Sequence, residues 1–378
     1  MIATALPRLR VLHVLHSLDT GGAERIVCDL ARRRAAELIS GAVCLDRLGS
    51  LAATAREAGM ALFCTHRREG LDLRQIGRLA SVIRRFEPDV IHAHQYTPYF
   101  YAALAASAAG AGRIVFTEHG RHWPDRVSPS RQAINQVLRL RRDRITAVCR
   151  FAADALRRTE RLAGRDVRII PNGVCCDLYD RPRRRDWLAA QLGVAEPGLV
   201  CLQVGRFHPV KDHATGLRAF ARVRAAHPEA RLVLVGDGPQ RPAIEDLVRA
   251  LDLADAVHLL GERPDVSDLL AAADVFVLSS LSEAASLSIL EAMSAALPVA
   301  ATDVGGNREI VLDGRTGLLS PRANPCALAA SLGRLLADAD LRRRMGQAGR
   351  RRARAMFDQA RMHDDFVALY RQMTGGAA

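Results

Sequence analysis

Short apolar runs recur along this 378-residue chain, each followed by a longer stretch with helical spacing, and that alternation restricts the fold more than any other feature. Residues 10–16 (RVLHVLH), 41–45 (GAVCL), 61–65 (ALFCT), 89–94 (DVIHAH), 113–119 (RIVFTEH), 144–148 (RITAV) and 167–174 (VRIIPNGV) read as strands. Between the third and fourth, DLRQIGRLASVIRRF places Leu73, Ile76, Leu79, Ile83 and Phe86 on one helical face. Apolar strands separated by helices belong in a parallel sheet covered on both sides. A polar break at 175–187, with Pro182 and four arginines, interrupts the pattern. It restarts at 198–207, 230–238, 256–262, 274–280, 297–303 and 316–320, and a basic helical tail runs from about Cys326 to Met373. The expected fold is α/β, with two doubly wound Rossmann-like domains facing across a cleft. The domains are expected at 1–182 and 183–357, with a helix near 358–378 free to pack back on the first. Ligands of such sheets bind beyond the carboxyl ends of the strands, so the cleft is the expected site.

Apolar residues make up 49% of the chain, which excludes a disordered protein. The net charge of +13 is unevenly placed: residues 1–185 hold 32 basic and 18 acidic side chains, and the remainder 22 and 23. A basic half suits an anionic partner such as nucleic acid, an acidic membrane surface or a phosphorylated substrate. A general bias toward arginine on solvated faces does not account for the asymmetry. None of the eight cysteines forms a C-x-x-C pair, which points to a reducing compartment without disulfides or a zinc site. The N-terminus lacks a long apolar segment and no run reaches the ~18 apolar residues of a membrane span, so a cytoplasmic protein is expected, with the inner face of the cell membrane as a docking surface. RQAINQVLRLRRDR (131–144) sets Ile134, Val137, Leu138 and Leu140 beside a cationic cluster, which suits an interfacial helix or one packed on its own domain.

Five stretches carry candidate chemistry. In HSLDTGGAER, Gly21 and Gly22 open a helix, where free N–H groups favour an anion or a plain tight turn is made. His92, His94 and His119 stand at strand ends; His-x-His is a metal-ligating spacing, but no carboxylate or thiolate completes a set. VGRFHPVKDH holds Arg206 and Lys211, and Lys211 is the single lysine among 54 basic residues. An ammonium is a compact point charge and a guanidinium a planar fork, so the two are not interchangeable against a phosphate. Glu283 and Glu291 form E-x7-E, the first at a helix entrance and the second on the helix in an apolar context where its carboxylate needs a partner. VGDGP, with Gly236, reads as a strand-to-turn glycine pair.

In this order, Arg206-x4-Lys211, GDGP, LGERPDVSDLLAAADVFVLSS, Glu283-x7-Glu291, EAM…LPV and TDVGG resemble glycosyltransferase family 4, and GGAER, FTEHG and IIPNGV fit its amino-terminal half. The resemblance spans essentially the whole chain. It implies a GT-B fold and a retaining, metal-independent enzyme that moves a hexose-type sugar from a nucleotide diphosphate sugar to a glycan or lipid-linked acceptor, in cell-surface polysaccharide or glycolipid assembly. It makes His119, Arg206, Lys211 and Glu283 the catalytic candidates. Arg206 and Lys211 would neutralise the leaving diphosphate, Glu283 would contact the donor sugar and Glu291 the ribose. Gly21, Gly22, Gly236 and Leu287 would complete the donor site, with the backbone from Leu260 to Arg263 by the base. His94 and Arg121 are the acceptor-side candidates. No cofactor or metal is expected; the only Asp-x-Asp, Asp338-Ala-Asp340, lies in the helical tail. The chain departs from the family at Ala284, Ala285 and Ser286, at Ala296 where glycine is common, and at Cys149 where serine is frequent.

Rival readings are a nucleotide-sugar epimerase that does not hydrolyse its donor, on a similar scaffold, and a basic nucleic-acid binder. The second lacks basic-aromatic interleaving, so nucleic acid is not an expected partner. An NAD-type oxidoreductase would need G-x-G-x-x-G and a distal acid, and neither is in place.

Overall fold

The computed structural model describes residues 7–120, 127–141, 143–161 and 166–375. The chain forms two compact units, Met1–Pro171 with Met362–Ala378, and Asn172–Arg361.

The first unit is built on seven strands: β1 (Leu9–Leu15), β2 (Leu38–Cys44), β3 (Ala61–Cys64), β4 (Val90–His94), β5 (Ile114–Glu118), β6 (Arg144–Ala147) and β7 (Val167–Ile169). They are ordered β3-β2-β1-β4-β5-β6-β7, and every pairing is parallel. β4 and β5 are buried at every position, as strands covered on both faces must be.

The second unit holds β8 (Val200–Val204), β9 (Arg231–Val235), β10 (Val257–Leu259), β11 (Val275–Leu278), β12 (Val299–Thr302) and β13 (Gly317–Ser320). Their order is β10-β9-β8-β11-β12-β13, again all parallel. One core cluster centres on Leu202, Phe276, Leu290 and Met293, the other on Phe207, Phe220, Val277 and Leu328. Both sheets are doubly wound, and the strand order reverses beside β1 and β4 in one and beside β8 and β11 in the other. Those switch points are where such sheets open a crevice for ligands.

Three details differ from the pattern read in the sequence. The first unit ends at Pro171 and not near 182, because Cys176 and Tyr179 of the polar break are buried in the second unit's core. Leu73 does not join the buried face of its helix: the helix is Arg74–Phe86, Asp72 accepts from the Arg74 N–H at 3.2 Å, and Leu73 is left exposed. The basic tail is three helices, Pro325–Ala337, Ala339–Met356 and Gln359–Thr374. The last brings Phe366 and Tyr370, both buried, onto His92 of β4.

Candidate active site

The carboxyl end of the second sheet is assembled from the turn after β8 and the turn after β11. β8 leads into Gly205, whose N–H donates to Val235 O at 2.9 Å, while Phe207 N–H donates to Asp237 O at 2.8 Å. Gly236 lies flat against this turn at φ +133°; a Cβ there would sit 2.2 Å from Gly205 O. Gly236 thus fixes the backbone on either side of Arg206. The Arg206 side chain is exposed and has no ion-pair partner among the described residues.

A 3-10 turn, Pro209–Lys211, follows, and Asp212 caps the helix His213–Arg224 by accepting from Thr215 N at 3.2 Å and Thr215 Oγ1 at 2.6 Å. The turn after β11 is stitched to it. Ser279 Oγ donates to Lys211 O at 3.1 Å and Asp212 O at 2.8 Å, and Leu281 N–H donates to Val210 O at 2.7 Å. These bonds bring Lys211 Nζ to 2.5 Å from Glu283 Oε1, which also accepts from Ser280 Oγ at 2.6 Å. Gly306 N–H, from the TDVGG stretch, holds Glu283 O at 3.1 Å. Ser286 then caps the helix Leu287–Ser294, accepting from Ile289 N at 3.4 Å, and this helix carries Leu287 and Glu291, both half-buried. Asn172 of the PNGV stretch braces the same loop, its amide donating to Ala285 O at 3.1 Å.

His208, between the two cations, reports the local field. Desolvation, followed by the charges of Arg206 and Lys211, keeps its imidazole below the ordinary range. Burial and the Lys211 charge push His213 down to about 4. Only the part owed to the two charges, and not the desolvation, favours an anion there. Nothing in the sequence marked His208, whose signal is only its position inside R-x4-K. Leu260 N–H is tied to Leu234 O at 3.0 Å, and the Arg263 guanidinium is held by Asp265 at 2.8 and 2.6 Å and by Gln191 at 2.8 Å, so Arg263 offers its backbone more readily than its charge.

At the carboxyl end of the first sheet, Gly21 precedes the helix Gly22–Arg33 without a side-chain cap. Its φ of −157° suits any residue, and an added Cβ would meet only the movable carboxylate of Glu24. The protein's own packing does not demand glycine there.

The histidines form a connected row. His13 of β1 is in register with His92 of β4, and His94 with Thr117 of β5, so these side chains share one sheet face with His119 two residues on. His13 Nδ1 lies 3.0 Å from His94 Nε2, and His94 Nδ1 lies 2.8 Å from His119 Nε2. His92 is bonded on both sides, Nδ1 to Tyr370 Oη and Nε2 to Thr117 Oγ1, each at 2.6 Å. Burial pushes His13 down to about 3 and His119 to about 4; burial and the neighbouring rings hold His92 and His94 well below the usual imidazole range. All four rings are therefore neutral at pH 7. Arg121 lies outside the described residues.

Sequence reasoning missed His13, whose only signal was a histidine inside an apolar strand. His13, His92 and His94 bring one nitrogen each within 4.8 Å of one another, a spacing a metal ion could use. His92, however, already has both nitrogens hydrogen-bonded to hydroxyls. Asp338 of the Asp-x-Asp is a helix cap, accepting from Leu341 N at 2.8 Å, and Asp340 pairs with Arg343.

Comparison with known proteins decides the family. Residues 20–178 match the family model "Glycosyltransferase Family 4" and residues 185–352 match "Glycosyl transferases group 1". A D-inositol 3-phosphate glycosyltransferase of Kineococcus radiotolerans is 32% identical over 337 residues, 83% of this chain and 73% of that one. The chain belongs to glycosyltransferase family 4. An N-acetyl-alpha-D-glucosaminyl L-malate synthase of Bacillus anthracis is another relative of this family 4 glycosyltransferase, 29% identical over 303 residues, covering 79% of this chain and 78% of that one. The GT-B fold is shared with the crystal structure of Anabaena HepE in complex with UDP-glucose, at a TM-score of 0.79 and 24% identity over 96% of this chain and 99% of that one. Membership sets aside the epimerase and nucleic-acid readings.

Proposed function

We propose that this glycosyltransferase takes a nucleotide diphosphate sugar as donor and transfers a hexose-type sugar, with retention of configuration, to a glycan or lipid-linked acceptor in cell-surface polysaccharide or glycolipid assembly. The observation that carries the reading is the exposed Arg206 guanidinium, without an ion-pair partner among the described residues, on the same turn as the Lys211 ammonium at the switch point of the second sheet. UDP-glucose bound to HepE, a protein of the same fold, supports a nucleotide sugar as donor.

The chemistry follows from charge. As the glycosidic bond to phosphate breaks, negative charge collects on the diphosphate. Gly236 and Ser279 hold the backbone that carries Arg206 and Lys211, so both cations stand within reach of that charge as it forms. The two cations supply the neutralisation that a divalent ion provides elsewhere, so the enzyme works without metal. In the unliganded protein Glu283 holds Lys211; on binding, the diphosphate takes the ammonium and frees the carboxylate for the sugar hydroxyls. Glu291 takes the ribose, Gly21 and Gly22 admit the donor close to the backbone, and His119 meets the sugar. His94 lies behind His119, so its part is to position that ring and not to touch the acceptor. Retention is consistent with attack from the face of the leaving phosphate, which accepts the proton.

The enzyme acts in the cytoplasm, against the inner face of the membrane. Among the described residues no helix is long and apolar enough to cross a bilayer. The helix Pro129–Leu138 docks on its own unit through buried Asn135 and Leu138, yet it and the following turn leave Ile134, Val137 and Leu140 exposed, at 39%, 66% and 80%. Arg131 is tied to Glu160 and Arg141 to Asp143, while Arg144 is exposed beside the apolar side chains.

The test is a panel of nucleotide sugars screened for protection against thermal unfolding, followed by NMR of the anomeric product in EDTA. The reading expects one donor to protect and an unchanged anomer; protection by none, or an inverted product, counts against it. Flotation with anionic vesicles tests the membrane part, which fails if the protein stays in solution at low salt.

A further inference from the structure

The row His13–His94–His119 has a direction. Neutral imidazole offers one N–H donor and one bare acceptor nitrogen. Three such rings joined by two hydrogen bonds, at 3.0 and 2.8 Å, must therefore all donate the same way. In one arrangement His13 Nδ1–H donates to His94 Nε2, His94 Nδ1–H donates to His119 Nε2, and the His119 proton sits on Nδ1. In the other every proton is reversed, and the last one lies on His13 Nε2.

The buried end of the chain decides between them. The His13 ring is wholly buried and its Nε2 has no hydrogen-bond partner. A buried N–H without an acceptor is a rarer and costlier defect than an acceptor left bare. The arrangement that leaves His13 Nε2 as a lone pair is favoured, and it puts the His119 proton on Nδ1. Among the described residues no group bonds that nitrogen. His92 does not compete, because Tyr370 and Thr117 occupy both of its nitrogens.

We infer that His13 and His94 are positioning residues that hold His119 in its Nδ1–H tautomer, so that His119 offers the sugar substrate a hydrogen-bond donor and not a base. This rests on the placement of His119 at the sugar given above. It accounts for a histidine buried in a strand with an unsatisfied nitrogen: His13 is the fixed end of a chain that sets the polarity of its other end. Burial keeps all three rings uncharged at working pH, so tautomer and not charge is what the chain controls.

The experiment is a long-range ¹H–¹⁵N correlation spectrum of the imidazoles in the full-length, ¹⁵N-labelled protein, with His119 assigned by its loss in His119→Gln. The wild type is expected to show a pyrrole-like Nδ1 and a pyridine-like Nε2 at His119, the minority form of a free histidine in water. In His13→Ala the vacated space admits a water, which can accept from His94 Nε2–H as well as donate to it, so the row loses its fixed end. His119 then drifts toward Nε2–H, and turnover drops roughly tenfold while KM for the nucleotide sugar holds within about twofold. His13→Asn, whose amide nitrogen stands near the place of Nδ1 and can donate, is expected to restore both.

An Nε2–H signal at His119 in the wild type, or an unchanged spectrum in His13→Ala, overturns the inference. So does stoichiometric metal on these rings in the purified protein. Should His13→Ala fail to fold, the wild-type and His13→Asn spectra decide. Full turnover by His119→Ala would instead remove the placement of His119 at the sugar, whatever its tautomer, so the two failures are distinguishable.

Discussion

At the switch point of the first sheet the strands end in imidazoles that burial keeps neutral; at that of the second, the turns after β8 and β11 present Arg206 and a Lys211–Glu283 pair. Both sheets wind in the same order and put their turns at the same end. The difference runs against the overall charge. Residues 1–185 carry 32 basic and 18 acidic side chains and yet build an uncharged row, while the remainder, with 22 and 23, places Arg206 and Lys211 in the turn after β8. Net charge describes the solvated surface. The charge of a site is set by which residues stand at the strand ends and how dry those ends are.

The widest separation of the two regions is expected from Lys211→Ala. Loss of one preorganised cation should lower kcat by about 10²–10³. Lys211→Arg should recover only part of it, since a planar fork does not replace a point charge. Steady-state kinetics read this, and near-normal turnover in Lys211→Ala would erase the contrast.

Acid should act on the opposite region. His13, at about 3, and His119, at about 4, lie below the ~6.5 of an unfolded histidine, as do His92 and His94. Between those values the unfolded chain binds more protons. Stability is therefore complete above pH ~6.5 and falls as pH drops, because each folded ring forgoes a proton that the unfolded chain binds. Hydrogen exchange at pH 5 should open β1, β4 and β5 before β8 and β11, where His213, at about 4, is the buried counterpart. Exchange in the reverse order would contradict this.

Tyr370→Phe sharpens the same point on a smaller scale. It removes the hydroxyl 2.6 Å from His92 Nδ1 and leaves a buried nitrogen unpaired, at a cost of about 1–3 kcal/mol. The melting temperature should fall by several degrees with the activity of the remaining folded enzyme intact.

The smallest effect lies in the second unit. Ala296 sits at φ +59°, in the left-handed region, where an L side chain costs roughly 1–2 kcal/mol. Ala296→Gly should raise stability by about 1 kcal/mol, and denaturant titration would show it.

Much of this was legible in the residues. The described strands follow the apolar runs, because the inner strands of a parallel sheet, such as β4 and β5, are covered on both faces. Arg206, Lys211, Glu283 and Glu291 stood out by spacing, and the structure brings Lys211 and Glu283 into contact. What could not be read needed a second strand. Gly236 looked like a turn glycine until Gly205 was seen pressed against it. His13 looked like one polar residue in an apolar run until β4 set His94 beside it. Single-strand patterns report burial and period, whereas a cross-strand hydrogen bond depends on register.

The proposed function stands or falls on a diphosphate held by two side-chain cations at the carboxyl end of the second sheet. Isothermal titration of UDP, GDP and ADP in EDTA, into wild type, Arg206→Ala and Lys211→Ala, tests it most directly. At least one nucleotide is expected to bind the wild type without metal, and each substitution to weaken it tenfold or more, about 1.4 kcal/mol. Equal affinity in all three proteins would contradict it.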